Sequence, residues 1–261
     1  MSATPAEREP RWMASAGIAA SLIVAHLGAL SLASRMEGEV AMAGGAVMTG
    51  LEAALLFGAK IDALVWRGEV WRLLSSSWLH QGWLHLGFNL FALGLVGPRV
   101  ERSVKGRGVL LVFVGSALGG ALMSALVTDG PSVGASGAAF GLVGALAVIR
   151  VVWREEVHGA LAAMLLPWLV LNVVWGLMPG LHLDNAAHAG GALVGGLLTA
   201  ALPSGEGGPG WRRAALNGGA WVAAAWVLYA AVSLARQVAI CSASGATFYQ
   251  CHPPAALGLG G

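Results

Sequence analysis

Residues 133–150 read VGASGAAFGLVGALAVIR. One serine, Ser136, stands between glycines at the head of an apolar run just long enough for a membrane helix. Two questions decide the fold: whether the neighbouring segments are also membrane-length, and what else polar they carry. The whole chain answers the first. It has 261 residues, 57% hydrophobic and 11% charged, where a soluble domain is about a quarter charged. That balance describes a polytopic membrane protein. The net charge of +2 and the absence of a Lys/Arg block exclude a nucleic-acid partner. Glycine occurs 39 times, and in membranes small residues let helix backbones approach closely. The two cysteines, Cys241 and Cys251, make neither a disulfide framework nor a zinc site; no metal and no cofactor is expected.

Outward from Ser136, seven apolar segments approach the length that spans a bilayer at ~1.5 Å per residue. They cover about 13–33, 83–100, 108–126, 135–152, 159–178, 186–202 and 214–236. A cleaved signal sequence is the competing reading of the first, because "SLAS" resembles a cleavage site, although some twenty apolar residues is long for one. The loops alternate in charge. Loop 99–107, RVERSVKGR, carries four basic residues, 150–158 carries Arg150 and Arg154, and 203–213 ends in Arg212 and Arg213. Between them, TDGPS (128–132) and PGLHLDN (179–185) carry none. Cytoplasmic loops are enriched in Lys and Arg, so the N-terminal tail 1–12 is expected inside, and the uncharged loops and C-terminal tail outside. A Cys241–Cys251 disulfide and two free thiols are both open there. Segment 34–82 is an outer loop too apolar to be simply solvated. It reads as an interfacial or partly embedded hairpin, with a short extra spanning helix as the competitor.

Polar side chains are costly in hydrocarbon, so those inside the spans mark a cavity or one another. The second span, WLHQGWLHLGFNLFALGLVG, holds His80, His85 and Asn89, and His85 and Asn89 are four apart on one face. The fourth opens with Ser136. The sixth, DNAAHAGGALVGGLL, holds His188 near its start. All three spans enter from the outside, so these groups share one depth, within about 10 Å of the outer surface. Gly137 and Gly141 form one G-x-x-x-G face and Gly191 and Gly195 another; if the two faces meet, Ser136 and His188 come within reach. Neutral His188 could take the Ser136 proton. The Ser136 amide, free at a helix N-terminus, could join His85 and Asn89 in holding an oxyanion. Asp184 is near the His188 face but reads as loop, so a Ser–His dyad is favoured over a triad. "GASG" lacks the second glycine of a G-x-S-x-G elbow and is no α/β-hydrolase signature.

Taken together, these residues resemble the rhomboid family of intramembrane serine proteases over about 60–200. Gly134-Ala135-Ser136-Gly137 resembles its serine motif and "AHAGGALVGG", with His188, Gly191 and Gly195, its histidine motif. His80, His85 and Asn89 match the pattern of its second helix. Trp71-Arg72 resembles the Trp-Arg pair of its first outer loop, and Glu101-Arg102 its Glu-x-Arg region. The resemblance implies Ser136 as nucleophile, His188 as base, and His85, Asn89 and the Ser136 amide as the oxyanion hole. It implies Phe140 against the imidazole, His80 as a structural anchor, Arg72 holding the outer loop, and Glu101 satisfying groups near the cytoplasmic end of helix two. The implied fold is all-α and polytopic: a six-helix core over 13–202 plus a seventh, C-terminal transmembrane helix within 203–261. The implied substrates are transmembrane helices of other proteins, cut near the outer face, and the setting a bacterial inner membrane. A catalytically inactive helix-binding relative is the runner-up, and a transporter a more distant one. Nothing in the residues fixes an oligomeric state. The 34–70 loop and helix five are candidates for the element that admits substrate.

Overall fold

The computed structural model describes residues 12–34, 40–41, 47–48, 57–155, 165, 167–172, 174, 183–202 and 210–243. Among these the architecture is almost wholly helical. The long helices are α1 (Met13–Ala33), α4 (Gly82–Val127), α5 (Ser136–Val151), α6 (Asn185–Ala201) and α7 (Gly210–Ala243). Two short helices, α2 (Asp62–Val65) and α3 (Arg72–Ser75), and a 3₁₀ turn at Ser76–Trp78 lie before α4. A two-residue ladder pairs β1 (Val40–Ala41) antiparallel with β2 (Val47–Met48). Three stretches, 13–33, 82–127 and 214–240, are long and apolar enough to cross a membrane by length and composition. The fifth expected span, 159–178, falls mostly outside the described residues; those described at 167–172 are helical. The apolar part of the outer loop, 42–56, and Cys251 also lie largely outside them.

The second and third expected spans are two arms of α4. Lys105 breaks the helix with φ 65° and ψ 173°, a positive-φ extended backbone that costs a non-glycine residue about 1–3 kcal/mol. The arms fold back there. Trp78, just before the first arm, meets Phe113 of the second edge-on, with ring centroids 5.8 Å apart. The chain leaves helix geometry within the basic loop, where the apolar pattern of the sequence also lapses. α7 runs to Ala243, several residues past the expected end near 236, because VSLARQVAICSA contains neither proline nor glycine to stop it.

Lipid tails are as apolar as leucine, so helices in a bilayer gain little by hiding apolar side chains; close backbone packing does the work. The glycines show where. A Cβ on Gly191 would strike the carbonyl of Gly137, and one on Gly195 that of Gly141. The rising numbers on both sides make α5 and α6 parallel. The second arm of α4 crosses α6 the other way: Gly115 faces Leu198, Gly119 faces Val194, and Gly120 faces the Ala187 carbonyl. On the opposite flank, α1 lies antiparallel to the first arm. Ser15 packs on Gly97, and Trp78 Nε1 donates to Ser21 Oγ at 3.0 Å. α7 climbs outside the second arm, from Asn217, which accepts from Arg107 Nη1 at 2.7 Å, to Leu234 beside Gly58. The shared core of Val100, Val104, Val112, Phe113, Ala138, Leu142 and Ala145 lies between α4 and α5.

Candidate active site

Ser136 is the first residue of α5, and Ala135 is its N-cap. The first amides of a helix have no intrahelical acceptor, so the Ser136 N–H is free of the helix ladder. His188 sits one turn into α6, its N–H donating to the Asp184 carbonyl at 3.1 Å. The glycine seam between the two parallel helices brings the side chains together: His188 Nε2 and Ser136 Oγ are 2.9 Å apart. The imidazole is buried and stacks on Phe140, with centroids 4.2 Å apart and planes within 8°. Phe140 in turn meets Trp168 at 4.9 Å. Among the described residues no acceptor reaches His188 Nδ1. Asp184 is engaged elsewhere: one carboxylate oxygen accepts the Ala187 amide at 2.9 Å, capping α6, and the other accepts from Ser124 Oγ on α4. Among the described residues the ring is thus held by stacking, with no carboxylate bonded to it.

His85 and Asn89 stand one turn apart on the first arm of α4 and line the same small cavity as Ser136 and His188. Asn89 Nδ2 donates to the His85 carbonyl at 2.9 Å, which uses one of its two amide hydrogens and leaves the other. His85 Nδ1 accepts the Gln81 amide at 3.4 Å, a long bond that favours the tautomer with its proton on Nε2, where that nitrogen is a donor. Beneath the ring is Gly134, at φ +126°; a Cβ there would lie 2.7 Å from His85 Cε1 and Nε2. Only glycine supplies both that backbone angle and that clearance. The cavity is about 50 Å³ and is also lined by Phe88, Trp168, Leu171, Asn172 and Leu183. That volume holds a few waters and no peptide.

The remaining residues singled out in the sequence hold the frame. His80, fully buried, accepts the Ala135 amide at 3.3 Å and meets the His85 ring at 5.1 Å. Arg72, also fully buried, donates from Nη1 to the Ala59 carbonyl at 3.0 Å and from Nε to Glu69 at 2.7 Å. Its guanidinium lies 4.7 Å over the Trp71 ring. Glu101 accepts the Ala14 and Ser15 amides at 2.9 Å each and Ser15 Oγ at 2.6 Å. It thus caps α1 from α4 and ties the two helices together. Sequence reasoning missed that partner, and also Trp168, Asn172 and Phe88 in the cavity wall; the position of Phe88, one residue from Asn89 at the start of the same helix, was the available signal.

The Rhomboid domain family model matches residues 67–204, more than half of the chain. Rhomboid protease GluP of Bacillus subtilis (strain 168) is 36% identical over 153 residues, covering 59% of this chain and 30% of that protein. RHOMBOID-like protein 5 of Arabidopsis thaliana is 43% identical over 144 residues, 53% of this chain and 46% of its own length. Rhomboid protease AarA of Providencia stuartii is 34% identical over 173 residues, 56% of this chain and 61% of its own. The chain thus spans less than two thirds of the length of these curated relatives. The match takes in both arms of α4, α5 and α6, so the helices that carry Ser136 and His188 are those of an integral membrane protein that belongs to the rhomboid family.

Proposed function

We propose that the protein is an intramembrane serine endopeptidase that cuts transmembrane helices of other membrane proteins near the outer face. The observation that carries this reading is the 2.9 Å contact between Ser136 Oγ and His188 Nε2 at the wall of a cavity that His85, Asn89 and Asn172 also line. The names of two relatives, both rhomboid proteases, support the same reaction class.

In this reading His188 Nε2 takes the hydroxyl proton as Ser136 Oγ attacks the scissile carbonyl carbon. The carbonyl oxygen becomes an oxyanion facing the Ser136 amide, His85 Nε2–H and the spare Asn89 hydrogen. Collapse breaks the C–N bond, and the imidazolium gives its proton to the leaving amine. A water then loses its proton to His188 and attacks the ester, which releases the acid and restores the serine. In this reading Phe140 holds the ring plane throughout and the pair acts as a dyad, supported by the lack of an acceptor at Nδ1 among the described residues. A helical peptide bond is shielded by its own hydrogen bonds, so the substrate must unwind locally, which small or helix-breaking residues favour. A cavity of about 50 Å³ admits a peptide only if its wall moves. Trp168, Leu171 and Asn172 form part of that wall.

Labelling of the purified protein with a fluorophosphonate, followed by peptide mapping, tests the reading. Modification is expected at Ser136, absent in Ser136→Ala, and lost together with cleavage of a reporter helix in His188→Ala. Unchanged labelling of Ser136→Ala means that the nucleophile is another residue.

A further inference from the structure

The connection that delivers Ser136 to the site, residues 128–135, has no regular structure of its own apart from a single bridge. Its backbone is instead held from outside at almost every second residue. Lys60 and Ser132 exchange two backbone hydrogen bonds, at 3.0 and 2.9 Å. The Gly134 amide donates to the Ser76 carbonyl at 2.9 Å, and the Ala135 amide to His80. At Gly130, φ +101°, the holder is a side chain: the amide donates to Asp62 Oδ2 at 3.0 Å. The other oxygen of that carboxylate pairs with Lys60 Nζ at 2.8 Å, and the ammonium also reaches the Thr128 carbonyl at 3.5 Å. The Lys60 side chain is 1% exposed and that of Asp62 18%. A buried ammonium is costly unless paired, and a salt bridge is not the cheapest way to fill such a space. Its geometry, with each charge also bonded to the same incoming loop, indicates a different use.

We propose that Asp62, with Lys60 as its counter-ion, is a positioning residue for the reaction. It fixes loop 128–135, and through it the Ser136 amide and hydroxyl, in the geometry the transition state requires. This rests on the Ser–His reading above. The loop enters a helix at Ala135, so a shift at Gly130 is carried to an amide that must point at one oxygen. A misplacement of about 1 Å in such a group can slow a reaction on the order of 100-fold, while binding of a long helical substrate, spread over many contacts, is little affected.

Removing one charge alone leaves the other buried without a partner and invites unfolding. The test therefore compares two double variants that are both free of the buried charges: Lys60→Met/Asp62→Asn, whose side-chain carbonyl can still accept from Gly130, and Lys60→Met/Asp62→Leu, which cannot. With wild type labelled at Ser136, the Asn variant is expected to keep the wild-type rate of fluorophosphonate labelling. The Leu variant is expected to lose 10- to 100-fold, with kcat for a reporter helix falling and KM unchanged. Equal labelling rates in the two variants overturn the proposal, as does a loss in the Leu variant confined to KM. If wild type fails to label at Ser136, the Ser–His reading falls first and takes this proposal with it.

Discussion

Among the described residues His188 Nδ1 meets no acceptor, and the imidazole is flanked by the aromatic ring of Phe140. The nearest carboxylate in sequence, Asp184, spends its two oxygens on the α6 cap and on Ser124. A neutral imidazole between a hydroxyl and a phenyl face needs no counter-ion in its resting state, and its tilt is set by the 4.2 Å stack on Phe140. A stacked aromatic pair contributes ~0.5–1.5 kcal/mol beyond its area. Phe140→Ala is therefore expected to lower kcat/KM for a reporter helix roughly two- to tenfold, with Phe140→Tyr near wild type; steady-state cleavage measures both. On the proposed mechanism, Asn89→Ala removes one donor to the developing oxyanion. In it kcat should fall, up to ~10²–10³-fold by the standard of soluble oxyanion holes, with KM little changed. The sequence made these groups legible at this scale because each is costly in hydrocarbon and all share one depth. What it could not carry was the use of Asp184. A residue four before a histidine fits either a triad or a helix cap, and only the position of Ser124, sixty residues away in the chain, decides between them.

Between elements, the α5–α6 seam is the device that sets the distance of the pair. The two helices touch through backbone at Gly137–Gly191 and Gly141–Gly195, so a single methyl must separate them or bend one. Gly191→Ala is expected to weaken both the fold and the Ser136–His188 contact. The cost should be ~1–3 kcal/mol in stability, with labelling of Ser136 reduced further than the stability loss alone explains. Gly196, on the same helix, has its nearest neighbour 3.6 Å from where a Cβ would stand; Gly196→Ala should leave both unchanged. Thermal unfolding and labelling rates in mild detergent distinguish the two variants. G-x-x-x-G spacing made this seam readable because packing in lipid depends on small residues. The α1–α4 tie through Glu101 was not readable in that way. A glutamate in a basic loop looks solvated, and its donors, the amides of Ala14 and Ser15, are 87 and 86 residues distant. Lys60 and Asp62 escaped notice for the same reason: two charges beside an apolar loop carry no period, and their meaning comes from Gly130 across the chain.

The whole molecule separates two kinds of chemistry onto two ends. His85, Asn89, Ser136 and His188 gather at the end where the first arm of α4, α5 and α6 begin. Arg102, Lys105, Arg107, Arg150 and Arg154 lie at the other, where the first arm and α5 end, and α7 starts from that side beside Arg107. From Ser136 to Arg150 along α5 is ~21 Å of helix, most of a hydrocarbon core. Positive residues stay on the cytoplasmic side during insertion, so the reactive end should face outward and the water that completes the reaction should come from there. Asp129 and Arg102, both exposed, mark the two ends and can be tested in one experiment. With Cys241 and Cys251 changed to serine, Asp129→Cys in intact cells should react with a membrane-impermeant maleimide, and Arg102→Cys should react only after permeabilisation. The reverse pattern would place the cavity on the cytoplasmic side. It would then require the proposed substrates to be cut at their inner ends, with the Ser136–His188 chemistry itself unaltered.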